Sequence, residues 1–171
     1  THNVTLPFTR MLNGAADYTI CYYDKRLKNT HAHQLAASLV FYSPLQTIFW
    51  YDTPDLYQGE PEIKWFEDLV TVFDDTRVLS GYPGRGIVMA RRNGDDWWAA
   101  AMTGNDGSQE TIDLSFLTPG KKYNADIYTD DDSAGTRTRV KVTSRKVNSG
   151  DRLLFDLKPR GGVAIKFSPA E

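Results

Sequence analysis

The 171 residues are 40% hydrophobic and 25% charged, with 20 Lys and Arg against 22 Asp and Glu and a net charge of −2. That balance excludes a largely disordered chain and lacks the basic excess that nucleic-acid binding requires, and no apolar run approaches the length of a bilayer span. The single cysteine, Cys21, excludes an internal disulfide framework and a cysteine zinc site. Aromatics reach 12%, which suits core building first and sugar-ring stacking second. With Thr rather than Met at its head, the chain reads as cut from a longer one, with room for an export signal upstream.

Taken in order, Val4 to Phe8 is a short apolar run that reads as a buried strand. Asn13-Gly14 marks a loop, and Asp17-Tyr18-Thr19 follows it. Thr30 is a good N-cap, and Ala32, Leu35, Ala36, Leu39 and Val40 then fall on one face at helical period. Pro44 ends that helix. Leu45 to Tyr51 reads as a second buried strand, so strand, helix and strand form a parallel unit. After Pro54 and Gly59, Pro61 opens a second helix with Glu60 and Glu62 at its positive end. Ile63, Phe66, Leu69, Val70 and Phe73 supply its apolar face. Two parallel strands do not make a stable sheet, so most of that sheet is expected to lie outside this chain.

Beyond about residue 75 the pattern becomes almost pure strand. Ile87–Arg91 and Trp97–Met102 flank Asn93-Gly94-Asp95, a hairpin signal. Alternation continues through Ile112, Leu114 and Phe116, then Tyr123, Ala125 and Ile127, then Val140 and Val142. Leu153, Phe155 and Leu157 follow, and Val163, Ile165 and Phe167 close the series. About eight short strands predict an antiparallel, Greek-key-type β-sandwich. The fold class is therefore α+β. Residues 1–75 form a partial (β/α) barrel in β-α-β-α order, and residues 76–171 form the sandwich.

Few residues suggest chemistry. His31 and His33 lie two apart on a helix, too divergent to share a metal. Asp17 and Asp52 are the acids nearest the strand ends, where barrel enzymes place their sites, and Asp52 before Thr53-Pro54 reads mainly as a turn former. Asp17, Tyr18 and Arg10 are the candidates for lining a sugar site. Asp126 and Asp130-Asp131-Asp132 form an acidic cluster without EF-hand spacing, read as a solvated loop rather than a calcium site. Of Trp97 and Trp98, neighbours on a strand, one should be core and the other should face an interface or a sugar. No phosphate loop and no nucleophile elbow are present.

Thr5-Leu6-Pro7-Phe8-Thr9-Arg10-Met11, Gly14-Ala15-Ala16-Asp17-Tyr18-Thr19, His31-Ala32-His33-Gln34-Leu35-Ala36 and Tyr42-Ser43-Pro44-Leu45-Gln46 resemble the closing part of the catalytic barrel of glycoside hydrolase family 97. Asp74-Asp75-Thr76-Arg77-Val78-Leu79, Ala90-Arg91-Arg92, Gly94-Asp95-Asp96-Trp97-Trp98, Ala101-Met102-Thr103 and Leu114-Ser115-Phe116-Leu117 resemble its C-terminal sandwich. The resemblance implies an exported, periplasmic or secreted bacterial α-glucosidase or α-galactosidase that acts on oligosaccharides. It implies calcium in the intact enzyme and a C-terminal sandwich associated with homo-oligomerisation. It places the general acid, the base or nucleophile and the calcium-binding glutamates upstream of Thr1. No catalytic or metal-binding residue is therefore expected in this chain, which by itself should be inactive. Where many relatives read Asp-Tyr-Thr-Pro-Gly, this chain has Asp17-Tyr18-Thr19-Ile20-Cys21, a different loop near the sugar. The alternative reading is a stand-alone carbohydrate-binding module with Trp97 or Trp98 as its platform.

Overall fold

The computed structural model describes residues 1–170. Ten strands and two α-helices are present among them. Strand β1 (Tyr18–Ile20) pairs in parallel with β2 (Gln46–Ile48), and helix α1 (His31–Val40) connects them. The expected parallel unit is therefore there, but its first strand is not Val4–Phe8. Residues Leu6–Phe8 and Arg10–Asn13 form two 3-10 turns instead. Pro7 lacks the N–H a ladder needs, and the Thr5 and Thr9 hydroxyls donate to the carbonyls of Thr1 and Thr5, four residues back, at 3.0 Å each. These local bonds replace a strand ladder.

The second helix is also shorter than its periodicity suggests. A 3-10 turn at Pro61–Ile63 runs into α2 (Lys64–Asp68), and Leu69 is already extended. The β-branched run Val70-Thr71-Val72 favours extended chain, and Leu69, Val70 and Phe73 reach the same core from it.

Eight antiparallel strands follow: β3 (Asp75–Tyr82), β4 (Gly86–Asn93), β5 (Asp96–Thr103), β6 (Ser108–Asp113), β7 (Lys122–Asp130), β8 (Val140–Asn148), β9 (Arg152–Leu157) and β10 (Gly162–Pro169). Six make one sheet in the order β3-β4-β5-β10-β7-β8, while β6 and β9 pair as a second, two-stranded sheet. The Asn93↔Asp96 pair leaves Gly94-Asp95 as a two-residue turn, and Gly94 takes the positive φ of 58° that such a turn demands. The chain crosses between sheets into β6 and again into β9. β10 then returns to lie between β5 and β7, which fixes the sandwich non-locally.

Alternation along each strand sorts the side chains into two cores. Between the sheets lie Val88, Trp97, Ala99, Ile112, Leu114, Phe116, Ile165 and Phe167, among others. On the opposite face of the six-stranded sheet lie Ile87, Trp98, Ala100, Met102, Tyr128 and Ala164, packed with α1, Trp65 and Tyr22. α1 is consequently buried all round, from Ala32 to Val40, and not on one face alone. Its polar side chains find partners. Ser38 Oγ donates to Leu35 O at 2.6 Å and accepts from Trp65 Nε1 at 2.9 Å. The approach is close enough that a Cβ on Gly162 of β10 would sit 2.8 Å from His33 Cα and 3.0 Å from the Ala32 carbonyl oxygen.

Candidate functional site

The shift of β1 changes the surroundings of the three sugar-site candidates. Asp17 is exposed and lies directly before β1, at its N-terminal end, rather than after a preceding strand. Arg10 is exposed and donates to the carbonyls of Gly14 and Ala15, both at 3.2 Å, and so clamps the loop that leads into β1. The Tyr18 hydroxyl donates to Gln34 Oε1 of α1 at 3.1 Å, and its ring meets Phe41 edge-on at 5.0 Å. Burial pushes the Tyr18 hydroxyl well above its ordinary pKa. All three are thus gathered around one end of β1. Tyr18 faces α1, and two Arg10 donors are occupied by the chain itself.

The C-terminal ends of β1 and β2 carry a different set. Tyr22 and Tyr23 follow β1, and Phe49, Trp50, Tyr51 and Asp52 follow β2. Phe49 stacks on Tyr23 at 5.7 Å and adopts φ +63°. The Asp52 carboxylate accepts the Tyr23 backbone N–H at 3.2 and 3.3 Å, tying the two loops together. A cavity of about 210 Å³ opens between Tyr23, Phe49, Asp52, Pro54, Tyr57 and Ile63. This aromatic group was not singled out from the sequence. The signal was the run of aromatics closing the second strand, read there as buried.

Behind those loops lies a buried pair of carboxylates. Glu62 is 0% exposed; its Oε1 accepts the Tyr22 hydroxyl at 3.2 Å, while Oε2 has no partner among the described residues. Burial raises its pKa above the usual carboxylate value. Glu60 is held by Arg137 Nε at 2.8 Å, the Tyr23 hydroxyl at 3.2 Å and the Gln58 N–H at 2.8 Å. Burial works to raise Glu60, but these donors outweigh it and hold the carboxyl low. Arg137 also lies over the Tyr23 ring at 4.2 Å, so the group locks the first segment to the β7–β8 loop. These acids face protein rather than a cleft, and their role here is cohesion.

His31, His33 and the Asp130-Asp131-Asp132 cluster are likewise structural. His33 Nδ1–H donates to Gly161 O at 3.1 Å, and Nε2 accepts from Asn3 Nδ2 at 3.2 Å. Burial drives its pKa down to about 4, so it is neutral near pH 7. Burial also lowers His31, whose ring packs edge-on against Tyr22 at 4.9 Å. Of the aspartate cluster, Asp130 accepts the Thr30 hydroxyl at 2.9 Å and the Gly162 N–H at 3.3 Å beneath α1. Asp131 pairs with Lys141, and Asp132 with Lys158 and Arg139. With these carboxylates tied to cations and donors, the cluster does not fit a calcium ion. Among the described residues no group of three or more His, Cys, Asp or Glu side chains could hold a metal. Trp97 packs between the sheets against Phe116, and Trp98 faces the other way onto Phe73. Both are buried, so neither offers a face to a sugar. No helix is long and apolar enough to cross a membrane among the described residues.

Comparison with known proteins fits this architecture. The chain is 34% identical over 180 residues to a retaining α-galactosidase of Bacteroides thetaiotaomicron, covering 96% of this chain and 27% of that protein. It is 29% identical over 167 residues to a probable retaining α-galactosidase of Streptomyces bingchenggensis, covering 95% of this chain and 25% of that one. A glycoside hydrolase family 97 enzyme from Pseudoalteromonas sp. strain K8, solved with acarbose, superposes with a TM-score of 0.87 at 30% identity. That match covers 99% of this chain and 28% of the solved one. The chain thus spans about a quarter of the length of the proteins it matches. The family described as glycosyl-hydrolase 97 C-terminal, oligomerisation, matches residues 72–168, nearly the whole of β3 to β10. The chain therefore belongs to glycoside hydrolase family 97, as its C-terminal portion.

Proposed function

We propose that this chain is the closing part of a longer, exported enzyme that cleaves α-glycosidic bonds in oligosaccharides, with α-galactosides as first substrates and α-glucosides second. Residues 1–75 are the end of its catalytic (β/α)8 barrel, and residues 76–171 are a sandwich that braces the barrel and supports self-association. One observation carries this reading. The only parallel pair among the described residues has three residues per strand, no further strand beside it, and a helix wholly enclosed between it and a six-stranded sheet. Such a pair is too small to stand alone and is shaped to continue into a larger sheet. The names of the relatives support the galactoside preference.

In this reading the chain supplies no acid, base or nucleophile. Arg10 and Tyr18 position the entry to β1. Asp17 lies exposed beside them at the N-terminal end of that strand, away from the end that carries Trp50 and Tyr51, where it is free to meet a neighbouring barrel element. Calcium, which the family resemblance implies, would be held by other residues of the longer protein, because the clustered aspartates here are already paired. The purified chain should not turn over nitrophenyl α-galactoside or α-glucoside, whereas the longer protein should. Turnover by the chain alone, or none by the longer protein, refutes the proposal. Light scattering should find the longer protein as an oligomer, and a monomer at all concentrations would remove the self-association role. The stand-alone binding module loses its platform, because Trp97 and Trp98 are covered.

A further inference from the structure

Trp50 and Tyr51 are adjacent surface aromatics, 58% and 73% exposed, and Trp50 is the exposed tryptophan among the described residues, since Trp65, Trp97 and Trp98 are each almost fully buried. Their rings lie 6.0 Å apart at 77°, so they form an angled pair. They stand immediately after the C-terminal end of β2, the end of a parallel strand at which α/β barrels gather their substrate-binding loops. The backbone there is held firmly. The Trp50 N–H donates to Ile20 O at 3.1 Å, the Asp52 N–H to Phe49 O at 3.2 Å, and the Asp52 carboxylate accepts from Tyr23 N. Phe49 takes φ +63°, which a bulky side chain rarely adopts. It is kept there because its ring is gripped by Tyr22, Tyr23 and Phe66. Strain of this kind persists where the surroundings over-determine it, and it concentrates at binding sites. Its effect here is to turn the chain so that Phe49 points inward while Trp50 and Tyr51 point outward.

We propose that Trp50 and Tyr51 form a pyranose-binding platform, a substrate-positioning element of the longer enzyme. The C–H bonds on one face of a pyranose carry slight positive charge and lie on the electron-rich face of an aromatic ring, a contact that needs no charged partner. Tyr51 adds a hydroxyl for a sugar oxygen at the edge. The neighbouring acid suits this role, because the Asp52 carboxylate is occupied in holding the loop through the Tyr23 N–H. The platform binds and orients the sugar, and the bond-breaking groups lie elsewhere.

This proposal rests on the α-glycosidase reading, and the experiment separates the two. In the longer protein, with raffinose as probe, Trp50→Ala and Tyr51→Ala should each raise KM about tenfold, with a smaller effect on kcat, as loss of uniform binding requires. Trp50→Phe keeps an aromatic face and should bring KM back to within about threefold of the unsubstituted protein. The acrylamide-quenchable fluorescence assigned to Trp50, by difference from Trp50→Phe, should fall when raffinose saturates the enzyme. KM unchanged within about twofold in both alanine variants overturns the platform. So does a Trp50→Phe variant as impaired as the alanine one, which would make the indole a packing element. An unsubstituted longer protein with no turnover of raffinose, nitrophenyl α-galactoside or nitrophenyl α-glucoside overturns the α-glycosidase reading instead.

Discussion

His33 offers the sharpest test of how the first segment is held to the sandwich. It is 2% exposed, and both ring nitrogens are committed: Nδ1–H to a carbonyl that can only accept, Nε2 to an amide that donates. A second proton has nowhere to go without breaking the Asn3 contact and placing a cation in the core. The folded-state pKa is accordingly lowered from 6.5 to about 4. The sign follows from linkage. Between pH 6.5 and about 4 the unfolded chain binds a proton at this position and the folded chain does not, so stability falls as pH falls through that window. A shift of roughly 2.5 units at 1.36 kcal/mol per unit makes the loss about 3 kcal/mol. Glu62 and Asp130 act the other way, because burial raises both and their protonation favours the folded state as pH falls. The His33 contribution is therefore isolated by comparison with His33→Gln, which keeps a donor and an acceptor but does not titrate. Urea unfolding from pH 7 to pH 4 should show the advantage of the unsubstituted chain shrinking by about 3 kcal/mol. A difference between the two proteins that stays flat across this window would falsify the buried, neutral assignment.

Other outcomes can be checked alongside. Glu62→Gln retains an acceptor for Tyr22 and removes a buried, half-paired charge, so it should stabilise the chain at pH 7 by on the order of 1 kcal/mol. Because the Glu62 pKa is raised, that gain should vanish below about pH 4, where the unfolded carboxyl is protonated as well, and thermal melts at pH 7 and pH 3.5 would show it. Gly162→Ala forces a Cβ against α1 and the Ala101 carbonyl. It should cost about 1–3 kcal/mol in denaturant unfolding, and a neutral result would mean that α1 does not seat closely on β10. Asp17→Ala in the longer protein should leave KM for α-galactosides unchanged within about twofold, because Asp17 lies at the N-terminal end of β1, and a rise of about tenfold would place it in the sugar site after all.

Much of this architecture was legible in the residues themselves. Alternating apolar positions and the Asn93-Gly94-Asp95 turn located the sandwich strands, because a two-residue period and a tight turn are local properties. Thr30 and the 3.6-residue period located α1 for the same reason: Thr30 Oγ1 does accept the His33 N–H, at 3.1 Å. Family membership was readable from the ordered motifs. What the pattern misjudged were Val4–Phe8 and Leu69–Phe73, where Pro7, threonine back-bonding and a β-branched run opposed the apolar periodicity. Only the tertiary structure decided that α1 is enclosed on every side, that Trp97 and Trp98 are both covered, and that Asp17 precedes its strand while Trp50 and Tyr51 stand exposed after theirs. The reason is physical. Periodicity reports which side chains avoid water, whereas which element covers them depends on contacts between residues as distant in sequence as His33 and Gly161, or Glu60 and Arg137.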